Sequence, residues 1–329
     1  MQKLVPKIII DTDMMTDCDD AGALGMAHAL ADNGELNILG IVLSTRDHNH
    51  QHGNVISAIN YYYNRPNIPI GVPIRPNMDD IRIERCPFSS AIYENHPHDG
   101  IANQARANAV EIYRQLLHDA AEHSVTVVVI GNFYNIEDLL KSPGDQIDER
   151  NGRELIEAKV KQMIITGGWL LPENRGRDAD VNLGGKSNGL IAAAQAAYYT
   201  FEHWPDEIAE IIISGADLGD TIITGLIYND LEESPMKVAY RHAYNALKDG
   251  RPSWDQTAIL LAARGAEYRG TTYWQLEANG YADVNSQGQL FWQTSGQKNH
   301  KYLIKHSGLS DRELATIIDD LMAQKPAAR

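Results

Sequence analysis

Five of the ten residues in DTDMMTDCDD, residues 11–20, are aspartates: Asp11, Asp13, Asp17, Asp19 and Asp20. The stretch follows directly on the apolar run KLVPKIII. Two unit charges ~4 Å apart repel by about 4 kcal/mol at an effective dielectric near 20. Carboxylates at this density need solvent, raised pKa values or a bound cation. Helix N-caps and first turns favour Asp, which accounts for about two of them. An oxygen-rich ligand set favours a hard cation, Ca2+ or Mg2+. An EF-hand register fails from either start. Counted from Asp11, positions 5 and 12 are Met15 and Gly22; from Asp17 they are Ala21 and His28. Cys18 lies among carboxylates that disfavour its thiolate, so it reads as a packing residue and not a nucleophile.

Four other stretches carry groups capable of chemistry. HNHQH places His48, His50 and His52 on one face if extended, a spacing that could bind Zn2+, although a polar loop is the plainer reading. TGGWLLPENRGRDADVNLGG is a Gly-rich loop with Asp180 and Asn182 in its DADVN. PSWDQTAILLAA, residues 252–263, opens a helix, with Ser253 and Gln256 in capping-box positions and Asp255 suited to the helix dipole. DLGD at 217–220 adds a further acidic pair.

The elements that must position these groups are legible from periodicity. Near-continuous apolar runs at 7–10, 38–43, 125–130, 161–166 and 210–214 read as parallel strands buried on both faces. Helical patterns at 20–32, 53–64, 102–122, 135–141 and 188–201 lie between them. NIED at 135–138 has capping-box form, as does SDRE at 310–313. The βαβ rhythm predicts an α/β protein with an open, mostly parallel, doubly wound sheet. From about residue 271 aromatic and polar residues alternate around Asn279-Gly280 and Gln287-Gly288, which predicts a small antiparallel excursion. No linker divides residues 1–329, so one domain is expected.

Strand-DTD followed by DDAGAL resembles the signature of the inosine–uridine-preferring nucleoside hydrolases, usually D-x-D-P-G-x-D-D-A. The resemblance runs in order to about residue 263. It departs in lacking the Pro-Gly and in two extra residues before the Asp pair, which the following AGAL aligns with Asp19 and Asp20. The resemblance implies a nucleoside-hydrolase-like fold, Ca2+ as cofactor and hydrolysis of the N-glycosidic bond of ribonucleosides. It implies Asp13, Asp20, Asp255 and the backbone carbonyl of Ile130, in VVVIGNFYN, as metal ligands. Asp13 is the implied catalytic base toward a water made acidic by the ion. Asp19, Asp180 and Asn182 are implied on the ribose, with Asn49 near the place of another ribose contact. Asp17 is left as an extra ligand or a neighbour of the ligands. Trp254 stands where uridine-cleaving relatives carry a His and purine-preferring ones a Trp, which implies purine preference. A homodimer or homotetramer is implied, and the segment ENHPHDG at 94–100 falls where the family places a mobile loop.

Bulk properties agree. A hydrophobic fraction of 43% and mean hydropathy of -0.36 fit a water-soluble core-forming chain. A formal net charge of -15 opposes a nucleic-acid partner and leaves a small nucleoside compatible. Cys18 and Cys86 give no disulfide framework, and no run reaches the ~20 apolar residues of a membrane span. A cytoplasmic protein is expected. Two rival readings are a haloacid-dehalogenase-type phosphohydrolase, from IIIDTD and DLGD, and a nucleoside- or sugar-binding protein without catalysis. Met15 stands where the phosphohydrolase pattern expects Thr or Val.

Overall fold

Strands that are apolar on both faces must be covered on both faces, and here helices do the covering. The computed structural model describes residues 4–14, 17–45, 51–79, 88–101, 105–171, 174, 177–178, 180–185 and 189–328. Its strands in chain order are β1 Lys7–Thr12, β2 Asn37–Leu43, β3 Ile70–Val72, β4 Ala107–Asn108, β5 Val125–Ile130, β6 Val160–Thr166, β7 Glu210–Ser214, β8 Ile223–Thr224, β9 Arg251–Pro252, β10 Glu267–Tyr268, β11 Thr271–Thr272, β12 Trp274–Glu277, β13 Tyr281–Val284, β14 Leu290–Gln293 and β15 His300–Lys305. Its helices are α1 Asp19–Asp32, α2 His52–Tyr62, α3 Phe88–Asn95, α4 Ala109–Asp119, α5 Tyr134–Lys141, α6 Gly152–Lys159, α7 Ile191–His203, α8 Ala216–Gly219, α9 Pro235–His242, α10 Ala246–Asp249, α11 Trp254–Arg264 and α12 Asp311–Met322.

Nine strands form one sheet in the order β12-β15-β7-β6-β5-β1-β2-β3-β4. Every neighbouring pair is parallel except β12 with β15. The strand order reverses at β1, which has β2 on one side and β5 on the other. Crevices for ligands open at such a switch point, beyond the carboxyl ends of the strands. Thr12 pairs with Ile130, so Asp13 and Gly131 leave the sheet side by side. A Cβ on Gly131 would collide with the Asp13 amide and Ser44 Oγ, so only glycine lets these two chain exits close up.

Alternation along each strand divides the interior in two. Ile8, Ile10, Val128, Ile130, Ile164 and Ile212 face a core shared with α1, α2, α9, α11 and α12. Ile9, Val127, Val129, Met163, Ile165 and Ile211 face a second core built by α4, α5, α6 and α7. At ~25 cal/mol per Å2 of apolar area, each such side chain contributes about 2 kcal/mol by burial. Helix α1 is rich in Ala and Gly because it lies inside the first core, against α11, α12, α2 and α9. A Cβ on Gly22 would sit 2.7 Å from Gln256 Nε2, so small residues set how closely α1 meets its neighbours.

Several local expectations are corrected. Asn135 does not cap α5; its amide donates to Asp11 Oδ1 (3.0 Å) and the Leu43 carbonyl (2.9 Å). Ser253 and Gln256 form no capping box: Ser253 Oγ meets Thr224 Oγ1 at 2.6 Å, and Gln256 Nε2 donates to Tyr240 OH. Asn279-Gly280 is not a hairpin turn. It is a corner between β12, which pairs with β15, and β13, which pairs with β14. The hairpin at Gln287-Gly288 and the Ser310–Glu313 capping box form as expected. The C-terminal excursion therefore does more than append a ribbon, since it returns β15 to extend the main sheet beside β7. Among the described residues no helix is long and apolar enough to cross a membrane.

Candidate active site

The aspartates of residues 11–20 separate into three environments. Asp11 points to the second core, where its carboxylate accepts from Tyr113 OH (2.9 Å) and Asn135 Nδ2. Burial pushes its pKa up to about 8, and the Asp13 charge adds to the rise against those two hydrogen bonds. Its place is structural, held in the core by these two hydrogen bonds. Asp17 forms an ion pair with Arg251, both carboxylate oxygens lying 2.9 Å from Arg251 Nε and Oδ2 also accepting from Nη2. Asp13, Asp19 and Asp20 remain, all buried at the carboxyl end of β1.

Asp19 and Asp20 are the first two residues of α1, and Asp255 lies in the first turn of α11. These helices pack together, so their N-terminal dipoles converge on the same place. One oxygen from each of Asp19, Asp20 and Asp255 lies within 4.8 Å of the others. Burial raises the pKa of all three well above the ordinary carboxylate range, and neighbouring carboxylate charges raise it further: Asp17 foremost on Asp19, Asp13 on Asp20 and Asp19 on Asp255. The Asp13 charge acts on each of them. Thr12 Oγ1 donates to Asp20 Oδ1, whereas Asp20 Oδ2 is buried with no hydrogen-bond partner among the described residues. A buried carboxylate oxygen without a donor, surrounded by like charges, suits a hard divalent cation. The donor set is all oxygen and fits Ca2+. Ile130 closes β5 beside Thr12, placing its backbone at the edge of this cluster.

The described parts of the Gly-rich loop, 167–171, 174, 177–178 and 180–185, follow β6. Asp180 closes the loop: one carboxylate oxygen accepts from Gly168 N, the other from Asn182 N (2.9 Å) and Leu183 N (3.1 Å). Burial raises the Asp180 pKa against these backbone donors. Asn182 donates to the Thr166 carbonyl at the end of β6 (3.2 Å), and its own carbonyl accepts from Asn132 Nδ2 (3.1 Å). Trp254 is half-buried, next to Asp255, and its indole N–H donates to Asp220 Oδ1 at 2.9 Å.

Asn49, His48 and His50 lie outside the described residues. His52 opens α2 and is buried. In the segment 94–100, Asp99 is held by Arg106 at 2.8 and 2.9 Å, and the His98 ring stacks on Tyr93. The acids of DLGD stand apart from the carboxylate cluster in their bonding. Asp217 accepts from Leu170 N and Leu171 N, and Asp220 from Trp254. Three contributors were not singled out from sequence. Thr12 is the middle residue of DTD, Asn132 follows Gly131 in the GNFYN turn, and Arg251 precedes PSWD. Only the first two carried a positional signal.

A doubly wound sheet with buried carboxylates at its switch point defines an α/β fold class with its ligand site at the carboxyl ends of the strands, and comparison with solved structures narrows the fold. An inosine-guanosine nucleoside hydrolase superimposes with a TM-score of 0.69 at 16% identity, covering 98% of this chain and 100% of that one. A purine-preferring ribonucleoside hydrolase from Gardnerella vaginalis gives 0.66 at 15% identity, with 96% and 99% covered. The type III effector protein XopQ, complexed with adenosine diphosphate ribose, gives 0.62 at 15% identity, with 98% and 94% covered. No family model and no curated protein matches the sequence. The chain has the nucleoside-hydrolase fold.

Proposed function

We propose that this protein hydrolyses the N-glycosidic bond of ribonucleosides, with Ca2+ as its cofactor and purine nucleosides as preferred substrates. The observation that supports it most is the convergence of Asp19, Asp20 and Asp255, with the Asp13 charge acting on all three, buried at the switch point of a sheet with this fold. Asp13, Asp20, Asp255 and the Ile130 carbonyl would hold the ion. Asp19 and Asn182 would orient the sugar hydroxyls, a positioning role. Bound there, the cation would supply Lewis acidity at the reacting centre. Asp13 accepts the proton of the attacking water as its oxygen bonds to C1′. The base leaves with the bonding electrons through an oxocarbenium-like state. Trp254 stacks on a planar base but cannot protonate it, because an indole N–H is a donor that does not titrate near neutrality. The same reading assigns a homodimer or homotetramer in solution.

The test is a nucleoside panel assayed for free base and ribose, with and without Ca2+. Inosine, guanosine or adenosine should be cleaved faster than uridine, and chelation should stop all of it. Preference for uridine overturns the purine assignment; no cleavage of any nucleoside with Ca2+ present overturns the hydrolase. A second reading, a riboside binder without turnover, draws on Asp180, whose oxygens are spent on three backbone amides. A bound nucleoside that stays intact for hours would support that reading instead.

A further inference from the structure

Helix α8 and strand β9 belong to no motif of the proposed reaction, yet both hold Trp254. From one side, Asp220, just after α8, accepts the indole N–H at 2.9 Å. A Cβ on Gly219 would lie 2.9 Å from Trp254 Cγ, so α8 also abuts the ring at its root. From the other side, the Arg251 guanidinium sits 5.0 Å from the Trp254 ring centroid and 4.1 Å from that of Tyr244. Arg251 is itself fixed by its two-toothed pairing with Asp17. Tyr244 and Asn245 have φ of 45° and 58°, left-handed values that residues with a side chain seldom adopt. The backbone thus accepts strain where it lays the Tyr244 ring over Arg251.

We infer that Asp220 and the Asp17–Arg251 pair are positioning residues that hold the Trp254 indole as a preformed wall for the leaving base, and so set leaving-group selectivity. The inference rests on the nucleoside-hydrolase reading and adds the residues that fix its base-recognition surface. An indole pinned at its N–H and covered by a guanidinium loses little rotational freedom when a base stacks on it. Preorganisation of this kind favours a large planar leaving group. It matters less for a riboside whose leaving group, even a planar one, departs readily without help. Asp17, on the segment that departs from the family signature, thereby acquires a role outside the ion's ligand set.

The experiment compares two substrates and one binding equilibrium in wild type, Asp220→Ala, Asp220→Asn and Asp17→Asn. The substrates are inosine and p-nitrophenyl riboside, whose phenolate leaves unaided. The equilibrium is calorimetric binding of hypoxanthine. Loosening the indole in Asp220→Ala should lower kcat/KM for inosine by about tenfold. It should weaken hypoxanthine binding and leave p-nitrophenyl riboside turnover within about twofold of wild type. Asp220→Asn keeps an acceptor oxygen and should restore most of the loss. Asp17→Asn should shift the same ratio in the same direction. Equal losses on both substrates, or an unchanged ratio and unchanged hypoxanthine binding, overturn the inference while leaving the hydrolase reading intact. A wild-type protein that cleaves neither substrate and binds no hypoxanthine overturns both.

Discussion

At the scale of the residue, neighbouring aspartates do different jobs because their surroundings differ. Asp11 and Asp13 are two positions apart, yet one is a hydrogen-bonded carboxyl group in the core and the other joins the carboxylates beyond the sheet. Asp17 is tied to Arg251. This yields an asymmetric expectation. Asp13→Asn should lower turnover at least about 10³-fold, since an amide can neither take a proton from water nor balance the ion's charge. Asp17→Asn should cost far less on a substrate with a good leaving group. Steady-state kinetics of both variants decides it, and equal losses would show that the acidic pair has been placed in the wrong register. The three-way split of the cluster was not legible in the sequence. Which carboxylates meet a cation depends on Tyr113, Asn135 and Arg251, all brought from distant parts of the chain.

At the scale of the element, the strands β1, β2, β5, β6 and β7 were readable because Ile and Val run without interruption where both faces are buried. Strands β3 and β4 were not, being three and two residues long. β15 is buried only at His300 and Leu303 and reads as part of a ribbon; only its pairing with β7 puts it in the main sheet. The capping residues misled for a related reason. Asn135 and Ser253 have partners across the fold that compete with the local helix terminus, whereas Ser310 near the surface keeps its local role. Two predictions belong here. Gly131→Ala should destabilise by about 1–3 kcal/mol, because a methyl group there forces the chain exits of β1 and β5 apart; urea unfolding measures it. Asp319, on α12, accepts from Gly225 N and has its pKa raised by burial to about 6. Below its unfolded value near 4 it is neutral in both states. Between about pH 4 and 6 the native state binds more protons than the unfolded state, so its contribution falls as pH rises and is then constant. Asp319→Asn should flatten the fall in stability across that window relative to wild type, measured by urea unfolding at pH 4.5 and 7.

At the scale of the whole molecule, the carboxylate cluster sets a cost that a cation relieves. Three buried acids, Asp19, Asp20 and Asp255, whose pKa values are pushed up by burial and by neighbouring carboxylate charges, oppose the folded state when ionised. Calcium at one hundred times its dissociation constant should add about 2.7 kcal/mol of stability by mass action. Chelated protein should therefore melt at a lower temperature and recover when Ca2+ is returned. Calorimetry checks this without any substrate, and an unchanged melting temperature after verified metal removal would contradict the site.

The packing of α1 against α11 also orders events in time. Asp19 and Asp20 enter the fold with the first strand and helix, but Asp255 arrives only with α11, from the far end of the chain. The strands that flank the cluster can pair long before that, since β1, β2 and β5 all precede it. Loop closure over such a separation is slow to be rewarded, so joining α11 to α1 is a late step of folding. During synthesis the emerging chain would hold an incomplete ligand set until α11 has left the ribosome and docked. If the proposed calcium site exists, uptake of the ion would report the docking of α11, and refolding followed by calcium uptake should lag refolding followed by helix content.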